Sequence, residues 1–162
     1  MVACGSSVWV LDIEEQELLW TYGEDDIYVW DTCDISEDGQ TIVAGNRQSS
    51  IALWDQSSSD FVTWWTLTDG GFVDVVDMTE DGKTAIVSNG YSYALIDLSS
   101  ADDEFVWEQE TDIAITTVGL DAKAKRGYAI VDDGETGTDV SILRGVNMTT
   151  GKLTWKKRFE ST

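Results

Sequence analysis

Asp34-Ile35-Ser36-Glu37-Asp38-Gly39-Gln40-Thr41-Ile42-Val43 returns 43 positions later as Asp77-Met78-Thr79-Glu80-Asp81-Gly82-Lys83-Thr84-Ala85-Ile86. In both copies an acidic turn ending in glycine joins two apolar runs. Glycine takes the positive φ that a tight hairpin needs, so each copy predicts two antiparallel strands. A degraded third copy begins at Asp121, where Ala122-Lys123-Ala124-Lys125-Arg126-Gly127 replaces the acidic turn. Recurrence at a fixed interval marks a repeat architecture.

A second marker shares the period. Asp12, Asp55 and Asp97 each close a short apolar run: Val8-Trp9-Val10-Leu11, Ile51-Ala52-Leu53-Trp54 and Tyr93-Ala94-Leu95-Ile96. Asn147 takes that place in the last copy, delayed by the insert Asp133-Gly134-Glu135-Thr136-Gly137. A tryptophan follows each marker: Trp20, Trp64 or Trp65, Trp107 and Trp155. Each period divides into four short runs rich in Val, Ile, Thr, Tyr and Trp, the residues strands favour. In the second copy these runs are 28–35, 41–45, 50–55 and 61–66. Apolar residues do not recur at helical spacing over three turns.

Four short strands per period predict an all-β chain of β-propeller blades, each a four-stranded antiparallel sheet. One such sheet cannot bury both faces alone, whereas stacking on its neighbours buries them. A β-sandwich also has short strands, but it does not require one set of markers at a fixed interval. The blades fall at 27–69, 70–112 and 113–162, after a partial blade at 1–26 that lacks its innermost strand. About four blades leave sheet edges open, which sheet proteins avoid. The chain is therefore expected to be a piece of a longer ring, or to close one by oligomerisation, ahead of a compact four-bladed ring. A homodimer would hold about eight blades.

Gly145-Val146-Asn147-Met148-Thr149-Thr150-Gly151-Lys152-Leu153-Thr154-Trp155 closely resembles the repeat of quinoprotein-type (PQQ-like) propellers, small-x-Asp-x-x-Thr-Gly-x-x-x-Trp. The first period keeps the spacing from Asp12 to Trp20 but has Glu15-Gln16 in place of Thr-Gly. The middle periods resemble WD-repeat propellers more, with Trp54-Asp55 closing the third strand and Ser-Glu-Asp-Gly or Thr-Glu-Asp-Gly turns. The resemblance covers nearly the whole chain. It implies that Trp20, Trp64, Trp107 and Trp155 pack between neighbouring blades, and that Asp12, Asp55, Asp97 and Asn147 fix turns. Propellers similar to these serve as interaction platforms, as ligand-binding modules on cell surfaces, or as quinone-dependent dehydrogenases. The dehydrogenases need a complete ring, a metal site and often adjacent cysteines, and this chain displays none of them. Fold alone does not assign function.

Thirty-one acidic residues stand against 10 basic ones, a net charge of −21. Such a surface repels phosphate backbones and anionic membranes, so neither nucleic acid nor a lipid surface is an expected partner. Asp outnumbers Glu, lysine is scarce and the acids run along the whole chain, which reads as a halophilic-type solvated surface. An acidic face for a cationic partner is the alternative. Apolar residues make up 42%, enough for a packed core. No run of 18 apolar residues predicts a membrane span, and Met1-Val2-Ala3-Cys4-Gly5 does not open a signal peptide. Extracellular and cytoplasmic locations both fit.

The chain has no histidine, which removes the commonest general base, zinc ligand and triad member. Cys4 and Cys33 are expected as buried thiols, or as one bridge if their strands face each other. Asp132, Asp133, Glu135 and Asp139 form the calcium candidate, a carboxylate-rich stretch with glycine. Its spacing is not that of the twelve-residue calcium loop, and it reads equally as a solvated hairpin. Asn147-Met148-Thr149 is a glycosylation sequon and also the turn position of the repeat. Trp30, near the start of an inner strand, is the candidate for a channel mouth. Without a base, the serines within 56–60 and 99–103 are not nucleophiles. Glycosidase chemistry needs a carboxylate pair across a cleft, and no pair stands out. The expected role is a non-enzymatic binding or scaffold module for a protein or ligand, without a cofactor other than calcium. Protein contact or self-association through open blade edges is the expected mode. A fragment of a quinoprotein-like enzyme and a self-assembling structural piece are the alternatives.

Overall fold

The computed structural model describes residues 1–23, 28–100, 102–112, 114–121, 126–132 and 140–160. All regular structure among them is strand, in four antiparallel meanders. The first has three strands, β1 (Val2–Cys4), β2 (Val8–Asp12) and β3 (Glu17–Tyr22). The second has β4 (Trp30–Ile35), β5 (Thr41–Asn46), β6 (Ser50–Asp55) and β7 (Phe61–Thr66). These bounds match the four runs expected of the second copy to within two residues. The third sheet holds β8 (Val75–Met78), β9 (Thr84–Ser88), β10 (Ser92–Asp97) and β11 (Trp107–Glu110). The fourth holds β12 (Ile115–Asp121), β13 (Arg126–Asp132), β14 (Val140–Val146) and β15 (Leu153–Glu160). No helix among the described residues is long and apolar enough to cross a membrane.

The repeated hairpins form as their residues dictate. Gly39 and Gly82 sit at φ +73° and +67°, where a side chain would be strained. Asp38 accepts from the Ser36 hydroxyl at 2.7 Å and the Gln40 amide at 3.0 Å. Asp81 does the same with Thr79 at 2.7 Å and Lys83 at 3.2 Å.

Alternate residues of a strand point to opposite faces, and here the two faces serve different cores. Ile42 of β5 joins Val8, Val10, Trp30 and Trp54 between the first and second sheets. Val43, next to it, joins Leu53, Trp65, Val87 and Ile96 between the second and third. Ile86 of β9 joins Leu95, Trp107, Ala129 and Ile142 between the third and fourth. Each such aliphatic side chain contributes about 1.5–3 kcal/mol by leaving water. Among the described residues these cores join consecutive sheets only, as an open series.

Hydrogen bonds lock the series at the inner strands. The amides of Trp30, Val73 and Ile115 donate to the carbonyls of Gly5, Asn46 and Gly90 at 2.8, 2.9 and 2.6 Å. Asp34 accepts from the Met78 amide at 2.8 Å, and Asp77 accepts from the Leu120 amide at 2.5 Å. Pairing identifies equivalent positions: Asp34 opposes Val43, Asp77 opposes Ile86, and Gly119 opposes Tyr128. Gly119 therefore takes the inner-strand position of the repeat in the fourth sheet. Asp121, where the sequence places the third copy, lies two residues further along β12.

Candidate functional site

The four turn markers behave alike. Asp12 accepts from the amides of Glu14 and Glu15 at 2.9 and 3.1 Å. Asn147 accepts from those of Thr149 and Thr150 at 2.9 and 3.1 Å. Asp55 takes the amide and hydroxyl of Ser57 at 2.8 and 2.5 Å, and Asp97 those of Ser99 at 3.0 and 2.5 Å. These are Asx turns, in which the side chain caps the backbone two residues on. The hydroxyl and amide donors hold the Asp55 carboxyl below its ordinary range. Ser57 and Ser99 spend their hydroxyls in the turns.

The tryptophans divide into two groups. Trp20 and Trp107 donate their indole N–H to the next sheet, to the carbonyls of Gln56 and Met148, each at 2.7 Å. Trp155 lies on the last strand and is 45% exposed. Trp64 is placed differently. A bulge between Leu53 and Trp54 sets Thr63 opposite Leu53, the position that Trp107 takes opposite Leu95. Trp64 instead faces the first sheet, packed beside Tyr28 and Trp30 at 5.5 and 5.8 Å between ring centres.

Trp30 is not at a channel mouth. It is fully buried between the first two sheets, with Tyr22, Tyr28, Trp54 and Trp64 around it. The apolar gain of burying a whole indole outweighs the pull of its single polar atom toward water.

Of the calcium candidate, Asp133, Glu135 and Asp139 lie outside the described residues, and only the backbone of Asp132 is described, at the end of β13. Among the described residues no group of three acidic or cysteine side chains converges on a metal position.

Cys4 of β1 and Cys33 of β4 are half-buried free thiols that meet across the first sheet junction. The Cys33 thiol donates to Cys4 sulfur, which lowers Cys4 and raises Cys33; burial raises both. Burial likewise raises the carboxyls of Asp74, just before β8, and of Asp77 on it, with Asp31 and Asp34 adding repulsion. At Asp77 the Leu120 amide opposes the rise.

One end of the sheets carries a cleft of about 790 Å³ lined by Asp69, Tyr91, Glu110, Thr111 and Asp112. It forms where the β9–β10 hairpin meets the connection out of β11, joined by the Thr111 amide on the Tyr91 carbonyl at 2.9 Å. Tyr91 is 53% exposed there. The same end carries Arg47, whose Nε donates to Asp31 at 2.8 Å and whose guanidinium covers the exposed Phe72. Three carboxylates beside an exposed phenol can hold a cationic or hydroxyl-rich group. Sequence reasoning missed this cleft because its residues come from connections of unequal length. The signal available was Tyr91, an aromatic in an otherwise small-residue hairpin.

No protein-family model matches the chain, and no curated protein sequence matches it. Solved structures do. A chain in the crystal structure of the mitotic checkpoint complex is similar at TM-score 0.76 and 9% identity, over 96% of this chain and 47% of that one. BamB from Moraxella catarrhalis is similar at 0.71 and 18%, over 97% and 44%. Kuenenia stuttgartiensis hydrazine synthase is similar at 0.74 and 17%, over 95% and 43%. At these identities the likeness shows the fold alone: an all-β run of propeller blades. The chain spans less than half the length of each of these structures.

Proposed function

We propose that this chain is a non-enzymatic propeller module that binds a protein or ligand through the loop-end cleft of Asp69, Tyr91, Glu110, Thr111 and Asp112. The cleft carries this reading because its carboxylates and phenol face solvent, whereas Asp12, Asp55, Asp97 and Asn147 serve turns and Asp34 and Asp77 serve sheet junctions. A cationic peptide segment is the ligand class the cleft fits. Titration with an oligolysine peptide should raise the melting temperature, and Glu110→Gln with Asp112→Asn should abolish the rise. Saturation at about 100 times Kd is worth about 2.7 kcal/mol. No shift with oligolysine would count against the cleft.

The PQQ-like repeat favours a second reading, a portion of a propeller enzyme whose reacting groups lie beyond these residues. Pyrroloquinoline quinone added with calcium should then change the absorbance spectrum and stabilise the chain; under the binding reading neither occurs. A third role, closing a ring of about eight blades with a second copy, is supported by the exposed apolar side chains Ile13, Leu18, Trp155 and Phe159 on the first and fourth sheets.

A further inference from the structure

We propose that the outer face of the β12–β15 sheet docks the β1–β3 sheet of a second copy of this chain, seated through Trp155. This rests on the ring-closing reading above and gives it a surface.

The junctions inside the chain supply the pattern. Trp20 donates to the carbonyl of Gln56, the residue after marker Asp55. Trp107 donates to the carbonyl of Met148, the residue after marker Asn147. The outer-strand tryptophan of one sheet therefore reaches the residue after the marker of the next. Trp155 is the same element of the fourth sheet. It lies over Gly145, where a Cβ would stand 2.4 Å from its indole nitrogen, and a cleft of about 310 Å³ opens beside it. The residue after marker Asp12 is Ile13, so its carbonyl is the matching acceptor.

Both faces are apolar where the pattern requires it. Tyr128 and Leu143 occupy the positions of Ile86 and Tyr93, which the fourth sheet buries in the third core. Trp155 and Phe159 are 45% and 47% exposed, against 8% for Trp107. Across the proposed junction, Ile13 and Leu18 are 65% and 55% exposed. Leu98, which follows marker Asp97 as Ile13 follows Asp12, is 7% exposed.

Charge selects the occupant. Residues 113–162 hold eight basic and six acidic residues, whereas residues 1–112 hold two basic and 25 acidic ones. The fourth sheet is thus the one basic region of an acidic chain. Arg126 lines the cleft beside Trp155, and Lys157 covers Phe159 on the same face. Residues 1–23 carry Asp12, Glu14, Glu15 and Glu17 and no basic residue. Opposite fields on docking faces steer encounter and fix orientation.

The inner strands agree. Asp34 and Asp77 reach the following inner strand, but Gly119 stands at that position in the fourth sheet. At that position the fourth sheet therefore offers no carboxylate to a following inner strand. Two copies joined this way form two identical junctions about a two-fold axis.

Light scattering on the whole chain at moderate salt tests this. The expected mass is twice 17.9 kDa. Trp155→Ala should return it to the single-chain mass with an unchanged far-UV spectrum. Arg126→Glu with Lys157→Glu should do the same, as should Glu14→Lys with Glu15→Lys. Mixing the two charge-swapped variants should restore the doubled mass, because opposite charges then meet at both junctions. A wild type of single-chain mass at every concentration overturns the proposal, and so does a dimer that ignores these substitutions. Neither result touches the cleft, whose reading depends on the oligolysine shift.

Discussion

Gly45→Ala is the sharpest probe of how the sheets are stacked. Gly45 lies on β5, and a Cβ built there stands 2.2 Å from Val73 Cγ1 and 2.6 Å from Val73 Cβ. Non-bonded carbons rest at about 3.5–4.0 Å, so one group must move by more than about 1 Å. Val73 is fully buried, and its amide is tied to the Asn46 carbonyl at 2.9 Å, so it has no room to retreat. Overpacking of this kind costs about 1–3 kcal/mol. At this chain length each kcal/mol lowers the melting temperature by about 2–4 °C. Thermal and urea unfolding, followed by tryptophan fluorescence and far-UV circular dichroism, would read it. The companion variant Val73→Gly removes the two nearest atoms, leaving the Thr32 methyl at 3.2 Å, and is itself destabilising through lost burial. In the double variant the alanine meets only that methyl, so it should cost far less than it does beside valine. That is a coupling of about 1–3 kcal/mol between the two sites. A Gly45→Ala cost below about 0.5 kcal/mol, or simple addition in the double variant, would refute the stacking argument.

Trp107→Phe removes the bond to the Met148 carbonyl and leaves that acceptor without its indole donor, so unfolding stability should fall by about 1–3 kcal/mol. Burial raises the Asp77 carboxyl, so its contribution is fully present below the ordinary carboxylate range and lost as pH rises through the raised value. Asp77→Asn keeps an oxygen for the Leu120 amide. The variant's urea midpoint should gain on wild type as pH climbs from about 4 towards neutral, and a flat difference would contradict this. Mild oxidation should join Cys4 to Cys33 and stabilise the chain by about 3–4 kcal/mol, an effect absent from Cys33→Ser. With a net charge of −21, the melting temperature should rise with added salt, most steeply while the screening length falls from about 30 to about 8 Å.

The period was legible because its markers do local work. Asp38, Asp81 and the glycines after them close hairpins within a few residues, and such turns leave the same letters in each copy. Trp64 faces the other way because it stands nine residues after Asp55, whereas Trp20 stands eight after Asp12 and the same bulge sits in both sheets. Asp121 misled similarly, since the fourth sheet's register places Gly119 where the repeat has aspartate. Trp30 was read by its place in a strand, yet its burial depends on Tyr22 from another sheet. The acids were read as spread along the chain, although counting by blade would have shown the basic residues gathered in the last one.

The junction bonds have an unequal grammar. Trp20, Tyr93 and Trp107 contribute side chains, and the groups that receive them, at Gln56, Gly151 and Met148, are main-chain carbonyls. Asp34 and Asp77 likewise address main-chain amides. A peptide group is present whatever residue evolution installs at the receiving position. Each sheet can therefore drift in sequence without unfastening the one before it. A fold held in this way can keep its shape while its letters change.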